Sequence, residues 1–263
     1  MKNFQDLIRE ICDEKNIDVE FLSKDWIMKL TKNDKIKYIV GMYFPINNYA
    51  STVLCNDKYA TYNVLFKQRI PIVEHKLMYS KRIKTYHSDL ERNHDIKKYL
   101  KKHGEVVIKD NCGRSGIDVY RATRYIQVKK RLRQIFKRKN TALICPFLKI
   151  EAEYRVIYFK GNVELIFEKE RKNAEWKHNL SRGATAKIVT DEGIKKQLSE
   201  FAMHVASIID VDFASVDLIR VDGKLMVLEV NSSVSLEKFM EQVEKGRNIA
   251  KEIYSKAIED MFQ

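Results

Sequence analysis

The sequence predicts a mixed α/β or α+β protein built on antiparallel sheets. Two observations carry this. Strand-like apolar runs flank Gly161-Asn162 and again Asp222-Gly223, dipeptides suited to two-residue hairpin turns. Around them lie segments with apolar residues at helical spacing. Two central hairpins among mixed strands and helices argue against a plain doubly wound parallel sheet.

The elements follow in order. Residues 3–14 place Phe4, Leu7, Ile8 and Ile11 on one helical face. Residues 35–44 alternate and then run apolar, as a strand does. Residues 57–68 carry Ala60, Val64 and Leu65 at helical spacing, with Pro71 beyond as a stop. A short helix over 95–102 ends at His103-Gly104. A strand over 105–109, a loop over 110–116 and a strand over 117–121 come next, then a basic helix over about 126–137 and a strand over 141–145. The hairpin strands are 154–160 with 163–169, and 214–221 with 224–230, separated by a helix over 194–209. One or two helices close the chain from about 236 to 261.

At 263 residues the chain can bury a sizeable core, as one large domain or as two to three lobes. No apolar run approaches the length of a membrane span, and the N-terminus lacks the apolar core of a signal peptide, so a cytoplasmic protein is expected. Cys12, Cys55, Cys112 and Cys145 show no Cys-x-x-Cys spacing, which argues against a zinc site or a disulfide framework. The formal charge of +13 would attract a polyanion: nucleic acid, acidic peptide, anionic membrane or nucleoside triphosphate. A solvated Lys-rich surface is the bland alternative.

Two segments carry candidate chemistry. The apolar strand Val106-Val-Ile-Lys109 runs into Asn111-Cys-Gly-Arg-Ser-Gly116. Such a loop can turn backbone N–H groups toward phosphates, with Lys109 adding charge, although an ordinary hairpin has the same form. It is not a Walker loop, because no Gly-Lys-Ser/Thr opens a helix. The second segment is the Asp222-Gly223 hairpin. Glu229 and Asn231 are two apart on one strand face, and the turn brings Asp217 near them. Three oxygen donors on a rigid hairpin suit Mg²⁺; a polar solvent face is the alternative.

Taken together, these segments resemble the ATP-grasp superfamily, in particular ribosomal-protein glutamate ligases, cyanophycin synthetase and glutathione synthetase-like enzymes. Four blocks occur in the family's order: Asp57-Lys58-Tyr-Ala-Thr61 with Arg69-Ile-Pro-Ile72; Val107-Ile-Lys109 with Gly113-Arg-Ser-Gly-Ile117; Glu153-Tyr-Arg155 with His178-Asn-Leu-Ser-Arg-Gly183; and Val216-Asp-Leu-Ile219 with Leu228-Glu-Val-Asn-Ser-Ser233. The resemblance implies an ATP-grasp fold: two α+β lobes gripping ATP, behind a shortened N-terminal lobe. The implied division is 1–76 for the short lobe, 77–147 for the lid and 148–263 for the core with the metal site.

The resemblance also implies roles. Lys58 and Lys109 would hold the α and β phosphates, under the loop of Gly113, Ser115 and Gly116. Pro146, Phe147 and Leu148 would form the adenine hinge, and Glu153 would lie near the ribose or lid. Arg155, Asn179 and Arg182 would face the γ-phosphate and the acyl group. Asp217, Glu229 and Asn231 would ligate one or two Mg²⁺ ions, with Mn²⁺ as an alternative. The implied activity is an ATP-dependent carboxylate–amine ligase working through an acyl phosphate and releasing ADP and phosphate. Its substrates would be a carboxylate, as an amino acid or acidic peptide, and an amine acceptor. Phosphoryl transfer to another acceptor, or a non-catalytic nucleotide- or nucleic-acid-binding relic, are the alternatives.

Departures from the family pattern limit what carries over. Pro146 stands where Glu is usual, so adenine N6 could use its carbonyl while N1 needs Leu148 or a neighbour. Glu153 replaces Asp, and Lys177 stands where Arg is common. Ser232-Ser-Val-Ser-Leu236 replaces Ser-Pro-Gly-Leu beside the acceptor pocket, so the acceptor does not carry over. The short N-terminal lobe leaves part of the substrate surface to a partner or a homodimer mate. No residue stands out as general base; His178 is open between that role and a polar loop residue. The basic helix, with Arg124, Lys129, Lys130, Arg131, Arg133, Lys137, Arg138 and Lys139 on or beside it, reads either as a solvated amphipathic helix or as a dock for an acidic peptide, carrier protein or RNA.

Overall fold

The computed structural model describes residues 2–83, 88–113, 116–171, 176 and 180–263. Among them the elements run α1 (Lys2–Glu14), β1 (Asp18–Leu22), β2 (Ile27–Lys32), β3 (Lys35–Val40), α2 (Tyr49–Asn56), α3 (Lys58–Lys67), β4 (Lys76–Tyr79), α4 (Asp89–His103), β5 (Val106–Asp110), β6 (Tyr120–Ala122), α5 (Tyr125–Phe136), β7 (Thr141–Pro146), β8 (Ala152–Phe159), β9 (Asn162–Glu170), a 3-10 turn (Leu180–Arg182), β10 (Thr185–Ile188), α6 (Glu192–Ile209), β11 (Phe213–Val221), β12 (Lys224–Asn231), α7 (Glu237–Gln242) and α8 (Gly246–Met261). The chain divides into two compact units. One holds residues 1–55, 152–218 and 229–263; the other holds 56–151 and 219–228.

The first unit is built on the five-stranded sheet β10-β9-β8-β11-β12. A hairpin pairs β8 with β9 and sets Arg155 opposite Phe167; its two-residue turn is Lys160-Gly161, both at positive φ, one residue earlier than expected, so Asn162 already pairs with Phe159. Residues of alternate parity point to opposite faces. Ile157, Leu165, Phe167 and Phe213 enter one core with Phe4 and Leu7 of α1 and with Ile253 and Tyr254 of α8. The Tyr254 hydroxyl donates to the Val234 carbonyl at 3.1 Å and accepts from the Leu236 amide at 3.0 Å, tying α8 to the chain that leaves β12. Helix α6 lies on β8 and β9. Its buried Leu198, Ala202, Val205 and Ile209 form one stripe, and the Asp191 carboxylate caps its start by accepting from the Ile194 amide.

The same unit contains the small antiparallel sheet β1-β2-β3. The strand expected to run to Phe44 ends at Val40, because Gly41 turns the chain at φ +60°. A Cβ there would meet the Trp26 ring at 2.7 Å.

The second unit is the antiparallel sheet β4-β7-β5-β6 with α4 and α5 on one face. Met78, Val106, Ile108, Ala142 and Ile144 pack there against Ile96, Val128, Leu132 and Ile135. Helix α4 begins earlier than its apolar spacing indicates. Ser88 and Glu91 form a reciprocal capping box, and the helix ends at Gly104 as expected. The opposite face is narrower: Leu143, Cys145 and Val73 pack with Ile219, Leu77 and Val107. Strand β12 reaches this unit through Val227, which accepts from the Val73 amide and donates to the Pro71 carbonyl. Among the described residues, no helix is long and apolar enough to cross a membrane.

Candidate active site

In the first unit the core face of the sheet turns from apolar to ionic toward one end. Arg155 follows the parity of Ile157 on β8, Lys169 that of Phe167 on β9, and Asp217 that of Phe213 on β11. The Arg155 guanidinium grips the Asp217 carboxylate with two bonds, Nε to Oδ1 and Nη2 to Oδ2, each 2.8 Å. Lys169 Nζ donates to Asp217 Oδ2 at 2.9 Å and to Glu153 Oε1 at 2.7 Å. Glu153, Lys169 and Asp217 are each at least nine-tenths buried.

Charge matching makes this burial tolerable. Burial alone would raise the Asp217 carboxyl, but the Arg155 and Lys169 charges and hydrogen bonds outweigh it and hold its pKa well below the usual carboxylate range. Burial alone would lower Arg155; Asp217, then Glu153 and Glu229, keep it firmly protonated. Glu229 thus lies within electrostatic reach of this cluster. It and Asn231 are half-buried, while Val230 between them is buried, as the strand alternation requires.

The donor set fits a hard divalent cation. A carboxylate offers about four lone-pair sites. Arg155 and Lys169 use one on Oδ1 and two on Oδ2 of Asp217, which leaves Oδ1 able to act as a monodentate ligand. Glu229 and Asn231 supply further oxygens from the same strand face. Beside them the buried Ser232 hydroxyl has no hydrogen-bond partner among the described residues. Those residues contain no convergence of three His, Cys, Asp or Glu side chains. The set is two carboxylates and an amide, which leaves positions open to phosphate oxygens.

In the second unit Lys109 lies opposite Leu143 on β7, so its side chain leaves the sheet on the face away from α4 and α5. Helix α3 begins on this loop region. Its cap Asp57 accepts from the Ala60 amide at 2.8 Å, and Asn111 accepts from the Tyr59 amide at 3.0 Å. The buried Lys58 sends its ammonium to the Gly113 carbonyl at 2.5 Å. The loop is tight: a Cβ on Gly113 would stand 2.9 Å from Asp110 Cβ, and Gly116 has φ +67°. Lys58, Lys109 and the Gly113 loop therefore belong to one unit.

At the expected hinge, the Phe147 amide already donates to the Glu105 carbonyl at 3.0 Å, and Arg121 stacks 4.0 Å over the Phe147 ring. Leu148 accepts from the Ile150 amide at 3.1 Å. Ser115, His178 and Asn179 lie outside the described residues, as does the side chain of Arg182, whose backbone closes the 3-10 turn.

Two residues of these regions escaped the sequence reading. Lys169 sits between Glu168 and Glu170 and looks like a surface charge; the signal was its parity with the apolar Leu165 and Phe167. His75, in the second unit, is buried with neither ring nitrogen in a well-formed hydrogen bond among the described residues. Burial first, then the Lys109 and Lys58 charges, push its pKa well below 6.5, with weak opposition from the Val73 backbone.

Comparison with known proteins adds a family. Residues 55–257 match the RimK-like ATP-grasp domain. A probable alpha-L-glutamate ligase of Psychromonas ingrahamii is 31% identical over 160 residues, 59% of this chain and 51% of the relative. A tetrahydromethanopterin:alpha-L-glutamate ligase of Methanocaldococcus jannaschii is 31% identical over 170 residues, 61% of this chain and 56% of the relative. The chain thus spans about half the length of the curated relatives it matches. Among solved structures, the D-alanine–D-alanine ligase of Bacillus anthracis complexed with ATP superposes with a TM-score of 0.62 at 20% identity, over 82% of this chain and 67% of that one, a likeness of fold. The family match takes in the Lys58, Lys109, Arg155 and Asp217–Asn231 segments together, and the chain belongs to the RimK-like ATP-grasp family.

Proposed function

We propose that this protein is an ATP-dependent ligase that activates a carboxylate as an acyl phosphate and joins it to an amine, releasing ADP and phosphate. The observation that carries this reading is the Asp217, Glu229 and Asn231 oxygen set beside the half-buried Arg155, inside a segment matching the RimK-like ATP-grasp domain. The names of the relatives make glutamate the first amino acid to test.

In this reading ATP and Mg²⁺, or Mn²⁺, are the cofactors. One or two ions ligated by Asp217, Glu229 and Asn231 would neutralise charge on the β and γ phosphates. Lys58 and Lys109 hold the α and β phosphates, with the Gly113, Ser115 and Gly116 amides around them. Pro146 offers its carbonyl to adenine N6. With the Phe147 amide engaged, the Leu148 amide serves N1. Arg155, Asn179 and Arg182 orient the carboxylate and the γ-phosphate. The buried Lys169 and Glu153 hold Arg155 and Asp217 in position, and Glu153 would lie near the ribose or lid. Excluding water protects the acyl phosphate from hydrolysis.

The carboxylate substrate is an amino acid or an acidic peptide, the acceptor is an amine, and the setting is the cytoplasm. A peptide or carrier protein docks on α5, and a homodimer mate completes the substrate surface. A screen of amino acids and acidic peptides for substrate-dependent ADP release tests the reading. ADP should appear only when the right carboxylate is present with Mg²⁺. Release that ignores every carboxylate, or that survives Glu229→Ala, would oppose it.

A further inference from the structure

The second unit holds a cavity of about 350 Å³ between α4, α5 and the end of β4. It lies on the helix-covered side of the sheet, the side opposite Lys109. Its floor is apolar, made by Ile96, Leu132 and Phe136, and its rim is basic.

The rim is ordered. Lys129 and Arg133 of α5 and its helical C-cap Lys137 follow one another four residues apart, which sets them about 6 Å apart along the helix axis. Across from them Arg82 reaches back to the Lys137 carbonyl at 3.4 Å, and Arg92 of α4 is fixed by its bond to the Tyr79 carbonyl at 2.7 Å. No carboxylate is among the described residues that line the cavity. Lys129 Nζ also lies 5.2 Å over the Tyr125 ring, a partly exposed contact that a carboxylate can share. Arg131 stacks on Tyr120 at 4.4 Å and bonds Gln134, while Lys130 is exposed and outside the lining.

We propose that this cavity is a docking site for an acidic peptide segment bearing an apolar residue between its carboxylates. Side chains at alternate positions of an extended peptide recur every ~6.6 Å on one face, close to the rim spacing, and the residue between them points the other way. Carboxylates would meet Lys129, Arg133 and Lys137 while the apolar side chain enters the floor. The apolar floor favours a peptide over nucleic acid, which binds unspecifically through stacking platforms along a basic groove. Among the described residues that line the cavity, Phe136 is the one aromatic side chain. Identifying the peptide as the substrate-bearing chain rests on the ligase reading; the docking itself does not.

The test is fluorescence anisotropy on the full chain without ATP, at low salt. The probes are a labelled peptide with Glu at alternate positions around one Phe, the same peptide with Ala for Phe, and a single-stranded RNA of equal length. The Phe peptide should bind, and bind more tightly than its Ala counterpart. K129E/R133E should weaken it by about tenfold or more, with thermal stability and ATP affinity unchanged. K130E, outside the lining, should change it little. Phe136→Ala should erase the preference for the Phe peptide. The site is overturned by no binding, by equal loss in K129E/R133E and K130E, or by RNA that outcompetes the peptide with the same variant dependence. Docking without any carboxylate-dependent ADP release would leave the site standing and remove the ligase reading; the converse would remove only the site.

Discussion

Asp217 and Lys109 both stand on antiparallel sheets, yet their surroundings differ. Asp217 is sealed among Arg155, Lys169 and Glu153, each charge matched by an opposite one. Lys109 is half-buried on a face of Leu143, Cys145 and Val107, and among the described residues no carboxylate reaches salt-bridge distance from it. The first arrangement holds its own geometry and leaves its Asp217 Oδ1 and Arg155 edge open to a further group. The second leaves the Lys109 ammonium without a carboxylate partner among the described residues. Substitution should therefore cost fold and function together at Asp217 and function alone at Lys109.

The largest effect is expected at Asp217. Asp217→Ala leaves the buried Lys169 and the half-buried Arg155 without their shared anion and should cost about 3–5 kcal/mol, together with all ATP turnover. Glu229→Gln, on the half-buried edge of the same cluster, should abolish turnover while stability changes by no more than about 1 kcal/mol. Urea titration with a turnover assay checks both; equal stability losses would erase the distinction between sealed and open groups.

In the second unit, Lys109→Ala should lower nucleotide affinity by about ten- to a hundredfold, the worth of a charge-assisted hydrogen bond. Its unfolding free energy should stay within about 0.5 kcal/mol of the parent. Unchanged affinity by calorimetry would mean that the Gly113 loop is an ordinary turn.

His75 gives a smaller, pH-dependent effect. Its folded pKa lies below the unfolded value of 6.5, so the folded chain resists a proton that the unfolded chain accepts. The stability associated with neutral His75 is present above pH 6.5. It falls as pH drops below that value, by at most about 1.4 kcal/mol per pH unit, until the folded pKa is reached. His75→Leu should flatten the stability profile between pH 7 and pH 5 by up to one proton. An unchanged slope would place the imidazole in a wetter setting.

How far the sequence discloses this molecule follows from how each turn is made. Both central hairpins are legible because Gly161 and Gly223 supply positive φ where two-residue turns need it. Of the sheet β1-β2-β3 only β3 is legible; β1 and β2 are hidden because the turns use non-glycine residues at positive φ, Ser23, Lys24 and Asp25 in one and Asn33 with Asp34 in the other. Helix α2 carries a mixed Tyr-Ala-Ser-Thr-Val sequence without a clear stripe. At the site, Glu229 and Asn231 are readable from strand parity, because their apolar neighbours face the other way. The Arg155–Asp217–Lys169–Glu153 cluster is not, since it joins β8, β9 and β11 through a face that is apolar for most of its length. A lysine at an apolar parity position was the one local hint.

The most direct test of the ligase account is a trapping experiment. The protein, Mg²⁺, ATP and hydroxylamine are incubated with glutamate, other amino acids and acidic peptides, without an amine acceptor. The account predicts a hydroxamate and ADP in equal amounts for the true carboxylate, and neither product with Glu229→Ala. AMP with pyrophosphate, or a stable phosphorylated product that hydroxylamine leaves intact, would contradict it.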